Sequence, residues 1–240
     1  MNSPETFEEL IIERQSCTKC HKDDNLRHFE KLLAEDVPPY LLSPWCPVGE
    51  NSLKAEILII GQDFGIFQYL EEAKNMDGLK LKEKGNSTNK KLIEYLKLAG
   101  LTDRKIYFTN AVLCIKNGIT KKTKSGKGMS SAVKIEWFKN CSVDFLKPLI
   151  TDHLSNLKTI ITLGKYALFS IEQIVESPIN TTEPLIDSIA ILQHIKISNK
   201  HYNLIPMLHP SFDHLSVMKQ KEGKKAARLW EDSKNIIDNL

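Results

Sequence analysis

The sequence predicts an α/β fold, specifically a three-layer α/β/α sandwich with a central four-stranded parallel sheet. Four short apolar runs, each rich in β-branched residues, recur along the chain and are too short for helices. Stretches with helical spacing of apolar residues lie between them, and this alternation implies parallel pairing with helices on both sheet faces. The chain has 240 residues, 41% hydrophobic and 26% charged, enough to bury a core without covalent staples. No internal repeat interrupts the pattern, so residues 1–240 read as one domain.

Residues 1–50 read as an N-terminal helical segment carrying a Cys-x-x-Cys turn, then a Pro-rich approach to the first strand. That strand is predicted at Glu56–Gly61 (EILIIG). A helix follows over Asn89–Leu98, with Leu92, Tyr95 and Leu96 on one face and Gly100 as its stop. Lys105–Asn110 (KIYFTN) is the second strand. Residues 115–133, with Lys121, Lys122, Lys124 and Lys127, read as an exposed basic loop insertion. Lys134–Ile150 has helical spacing until Pro148 intrudes. Thr159–Gly164 (TIITLG) is the third strand, and the helix Lys165–Val175 follows it directly. Asn203–His209 (NLIPMLH) is the fourth, and Lys224–Leu240 closes the chain as a helix that is basic, then amphipathic.

Net charge is only +3, so total charge does not announce a nucleic-acid partner. Its distribution says more: a second cluster, Lys219, Lys221, Lys224, Lys225 and Arg228, accompanies the one in the loop. No apolar run reaches membrane-span length, and Met1–Leu10 is acidic without a signal-peptide core. The expectation is a cytoplasmic monomer without membrane contacts. Five cysteines in a reducing compartment argue for metal or cluster ligation over disulfides.

In parallel sheets ligands bind at the carboxyl ends of the strands. Three polar signals sit there. Gly61-Gln62-Asp63-Phe64-Gly65 is either an ordinary turn or a place where backbone N–H groups approach a ligand, with Asp63 adding a carboxylate. Asn110 is either a turn residue or a base reader. A carboxamide presents acceptor and donors side by side, which matches the N3–H and O4 of uracil and mismatches cytosine. His209-Pro210-Ser211 is either a structural strand exit capped by Ser211 or an imidazole able to hydrogen-bond an oxygen that becomes anionic.

GQDFG, FTNAV and LHPS, in that order at those strand ends, resemble the three signature motifs of the uracil-DNA glycosylase superfamily, and NLKTIITLGKYAL resembles its strand-to-helix step. The likeness spans roughly residues 10–235. It implies hydrolysis of the N-glycosidic bond of uracil or a related damaged base in DNA. Asp63 and His209 would be catalytic, and Gly61, Gln62, Phe64, Asn110 and Ser211 would contact the substrate. The pattern is similar to the iron–sulfur branch in particular: Cys17 and Cys20 form the Cys-x-x-Cys, Cys114 follows the Thr-Asn motif, and Cys141 lies on the next helix. The resemblance implies a [4Fe–4S] cluster on these thiolates; zinc is the alternative for the same donors. Cys46 is left over and reads as a small buried hydrophobe.

The chain departs from the pattern in three places. Asp63-Phe64 stands where the iron–sulfur branch carries Ala-Pro, and Asp63 is instead similar to the cluster-free branch. Residues 76–81 lack the aromatic ring that stacks on the base; Phe64 and Phe67 are the candidate substitutes. The segment between Cys114 and Cys141 is long and basic, but Lys116–Val133 holds no His, so covalent trapping of DNA is not expected. The alternative function is a catalytically silent module that binds nucleic acid. A small-molecule hydrolase is disfavoured, because no Ser or Cys nucleophile elbow is present.

Overall fold

The structure, a computed structural model, describes residues 6–20, 26–27, 52–63, 87–116, 119–122, 128–130, 133–179, 188–210 and 226–239. Its central sheet is built from β2 (Ile57–Gly61), β3 (Ile106–Asn110), β7 (Thr159–Leu163), β8 (Gln193–Ile197) and β9 (Lys200–Met207). Spatial order is β3-β2-β7-β9-β8. The first four pair in parallel, as the apolar runs predict, with registers such as Ile57↔Ile106, Ile57↔Thr159 and Thr159↔Asn203.

Side chains alternate across a strand, and here that alternation divides the apolar residues between two cores. Leu58, Ile60, Tyr107, Ile160 and Leu204 face one side. They are covered by α1 (Phe7–Ser16), α3 (Ile135–Cys141) and α4 (Lys165–Glu172), through Leu10, Trp137, Phe138, Leu168 and Ile171. Ile57, Ile59, Ile106, Ile161 and Met207 face the other. There α2 (Ser87–Leu98) and α5 (Ala226–Asp238) pack on each other and on the sheet, with Tyr95 stacked on Trp230 at 5.9 Å. The result is the expected sandwich of three layers.

The expected four-stranded parallel sheet needs correction: the sheet has five strands and is mixed. β8 joins β9 antiparallel through a two-residue turn, Ser198-Asn199, in which both residues have positive φ. Such turns match the twist of a hairpin. β8 escapes a search for continuous apolar runs because it is an edge strand with only Ile195 and Ile197 buried. The predicted fourth strand therefore begins earlier, at Lys200, and ends at Met207, leaving His209 beyond the ladder.

The insertion at 115–133 is not simply a loop. β4 (Ile115–Lys116) pairs with β1 (Leu26–Arg27), and β5 (Ile119–Lys122) pairs with β6 (Gly128–Ser130), both antiparallel. Lysine-rich composition hides these strands, whose pairing supplies the backbone bonds that composition does not report. The helix expected over Lys134–Ile150 is α3 followed by wider π turns at Ser142–Leu146 and Leu149–His153. Pro148 has no N–H to give and its ring crowds the preceding turn, so the ladder loosens on both sides of it. Lys147 N–H accordingly donates to the Ser142 carbonyl, five residues back. Among the described residues no helix is long and apolar enough to cross a membrane.

Candidate functional site

The chain leaves β2 for β3 on one side and then crosses back to β7 on the other. α2, after β2, and α4, after β7, accordingly lie in opposite cores. Between such diverging connections the carboxyl ends of the strands open a crevice. The polar signals read from sequence are found at this edge.

Gly61 and Asn110 are register partners at the ends of β2 and β3. A Cβ on Gly61 would lie 2.5 Å from Asn110 Oδ1. Only glycine lets the carboxamide lie over the neighbouring strand in this way. Two further backbone bonds hold the turn, from Ala111 N–H to the Gly61 carbonyl at 2.8 Å and from Val112 N–H to the Gln62 carbonyl at 2.9 Å. Gln62 Nε2–H donates to Asp63 Oδ2 at 2.7 Å, which orients the carboxylate.

A second bare position supports His209. Gly164 has φ +87°, and a Cβ there would meet His209 Cβ at 3.2 Å. Its N–H donates to the Met207 carbonyl at 2.7 Å, tying the end of β7 to the end of β9. Burial lowers the His209 pKa from its ordinary 6.5, and the Asp63 carboxylate raises it; burial prevails. The Asp63 carboxylate thus acts on His209 across the strand ends, and His209 is a neutral imidazole near pH 7. Gln62, Asp63, Asn110 and His209 are all half-buried. Phe64, Phe67 and Ser211 lie outside the described residues, as do residues 76–81 and Cys46.

The four motif cysteines come together on the α1–α3 side. Cys17, Cys20, Cys114 and Cys141 line one cleft with Arg14, Leu113, Asn140 and Phe145. Cys17 caps the C-terminus of α1, Cys141 ends α3, and Cys114 lies four residues beyond Asn110. Asn140 Nδ2–H donates to Cys20 Sγ at 3.3 Å. Lys19 and Asp144 form a partly exposed ion pair at 2.6 Å between the Cys-x-x-Cys turn and the helix after α3. Burial pushes the Cys114 thiol up to about 12, with Arg14 pulling it back, and burial also raises Cys141. Thiols so placed ionise when a metal replaces their protons. Four sulfur donors around one cleft fit a thiolate-bound inorganic group. Among the described residues no three His, Cys, Asp or Glu side chains form a group that could hold a metal ion as they stand, so the four thiols match such a group by donor type and shared cleft, not by placement.

Two contributors are not evident from sequence alone. The sequence marks Gly164 as a strand end, without its role beneath His209. Arg14 carries no motif, although a cation one helical turn after Leu10 on the buried face of α1 is a visible signal.

A largely parallel sheet with polar side chains gathered at its carboxyl edge, beside a switch in strand order, defines an α/β protein of the class that binds ligands at that edge. The model of the uracil DNA glycosylase superfamily matches residues 48–234, and the chain belongs to that superfamily. The matched span includes Cys114 and Cys141 and leaves out Cys17 and Cys20. No curated protein matches the chain.

Proposed function

We propose that the protein is a DNA glycosylase that hydrolyses the N-glycosidic bond of uracil or a related damaged base. One observation carries the reading: Asn110 over the bare Gly61 and His209 over the bare Gly164 flank Asp63 at one sheet edge, in a chain of this superfamily. A base stacked in a duplex cannot reach such an edge, so the substrate is a flipped or single-stranded nucleotide. Asn110 selects the base through its paired donor and acceptor, because the wrong base leaves buried polar groups unmatched. As the bond from base to sugar breaks, its electron pair moves onto the base and the sugar becomes cationic. The neutral His209 donates an N–H to the base oxygen that gains charge, and backbone N–H groups near Gln62 assist it. Asp63 orients a water toward the sugar carbon, steadies the cation and takes the proton the water loses. The basic segments Lys121–Lys127 and Lys219–Arg228 hold phosphates.

Cys17, Cys20, Cys114 and Cys141 are assigned to a [4Fe–4S] cluster, and zinc is the alternative for the same donors. When bound, such a group ties the N-terminal segment to the core and adds to folding stability. Iron, acid-labile sulfide and zinc contents of the purified protein distinguish the two.

Oligonucleotides containing uracil test the activity. Alkali-labile abasic sites are expected from the wild type, and Asp63→Asn, Asn110→Ala and His209→Ala are each expected to slow their formation by about 100-fold or more. Wild-type rates in all three variants would remove the site assignment. The lack of an aromatic residue in 76–81 favours one other reading, a silent binding module. Salt-sensitive DNA binding without release of any damaged base would establish it instead.

A further inference from the structure

We propose that Arg14 is the fixed counter-charge of the four-cysteine cleft, offsetting the negative charge that the thiolates of Cys17, Cys114 and Cys141 carry when the cleft holds its inorganic group. The inference rests on the reading of that cleft as a thiolate-bound cluster or metal site.

The placement of Arg14 is unusual for a cation. It is 1% exposed, and it lines the cleft together with all four cysteines. Long cationic side chains normally keep their heads in water. It is fixed by the same turn that presents the first ligand, since its carbonyl accepts the Cys17 N–H at 3.2 Å as α1 ends. Burial pulls its pKa down to about 10, and the thiols of Cys114, Cys141 and Cys17 push it back up, in that order. A guanidinium in this position stays charged at neutral pH, as a desolvated ammonium often does not. The fourth thiol is served otherwise: Cys20 receives the Asn140 amide, and its neighbour Lys19 is paired with Asp144.

The donor set fixes the sign of the charge. Four thiolates outweigh the charge of a dication or of a cluster core of about +2, so a loaded site remains anionic in a poorly hydrated place. A cation close by and already desolvated offsets that charge at little further cost. That offset favours retention of the bound group.

The full-length protein is reconstituted anaerobically with ferrous iron and sulfide, or with zinc, and loss of metal to a chelator is timed beside far-ultraviolet circular dichroism. Arg14→Gln and Arg14→Met, folded by dichroism, are expected to release metal about 10–100-fold faster than wild type. Arg14→Lys, whose ammonium the thiolates of the loaded site hold in its charged form, is expected to return the rate toward wild type. Wild-type release from the folded neutral variants overturns the proposal, as does release from Arg14→Lys as fast as from Arg14→Gln. If neither neutral variant folds, Arg14→Lys decides: a folded, loaded variant upholds the counter-charge, and an unfolded or unloaded one overturns it. A wild-type protein that takes up neither iron, sulfide nor zinc removes the reading of the cleft itself, and the inference with it.

Discussion

At the scale of single residues, the site depends on two absent methyl groups. Gly61→Ala would push a Cβ to 2.5 Å from Asn110 Oδ1. The conflict is with the end of a side chain, so the amide swings away and the fold gives little. The melting temperature is expected to move by no more than about 2–4 °C. Excision of uracil is expected to fall by about 100-fold, because an Å-scale displacement spoils alignment. A large loss of stability with normal catalysis in the remaining folded protein would contradict this. His209 yields a second test. Burial lowers its pKa below 6.5, so near pH 6 the unfolded chain binds more protons than the native one. Its contribution to stability is complete above about pH 6.5 and is lost as pH falls through the native pKa. Nuclear magnetic resonance titration is expected to place the His209 midpoint below 6.5, and Asp63→Asn, which removes a carboxylate that raises it, should lower the midpoint further. A midpoint above 6.5 would contradict the assignment of a neutral imidazole.

At the scale of elements, the strand-end site and the cysteine cleft share one short segment. Asn110 ends β3, Ala111, Val112 and Leu113 are buried, and Cys114 follows at the cleft. Local movement at Cys114 therefore has a direct covalent route to Asn110. The other side of the cleft depends on α1, which begins with a reciprocal cap: Thr6 Oγ1 accepts from Glu9 N–H at 3.1 Å and Glu9 Oε2 accepts from Thr6 N–H at 3.0 Å. Thr6→Ala is expected to cost about 1 kcal/mol, lowering the melting temperature by about 2–4 °C. Alkylation of the half-buried Cys17 should accelerate in the metal-free protein, since the fraying helix is the one that Cys17 caps. Unchanged alkylation would mean that the turn at Cys17 is held without the first turn of α1. The Lys19–Asp144 ion pair is partly exposed and screened, so little of that hold is assigned to it.

At the scale of the whole molecule, a net charge of +3 makes long-range attraction to DNA weak and leaves binding to the local lysine clusters. Affinity for oligonucleotides is expected to fall with added salt. Replacing Lys121, Lys122, Lys124 and Lys127 by Gln should flatten the logarithmic slope by roughly 0.9 for each phosphate that these lysines neutralise in the wild type. An unchanged slope would place that segment away from the DNA. Much of the architecture is legible in the sequence. ILIIG, IYFTN and TIITL fall within a residue of the predicted strands, because a strand buried on both faces must be apolar throughout and short. The edge strand β8 is not legible as a continuous apolar run, being half exposed, and only the alternation that buries Ile195 and Ile197 marks it. Pro148 announces a break but not the π turns that absorb it. By itself the sequence determined the alternation of strands and helices, the strand ends where polar residues collect, and the supply of four motif cysteines, since these rest on neighbours within a turn or two. Only the tertiary structure decided that Asn110 lies over Gly61, that His209 rests on Gly164, and that Arg14 is buried with cysteines as distant as Cys141. Burial and register are set by contacts between segments far apart in the chain, and no local pattern records which segments those are.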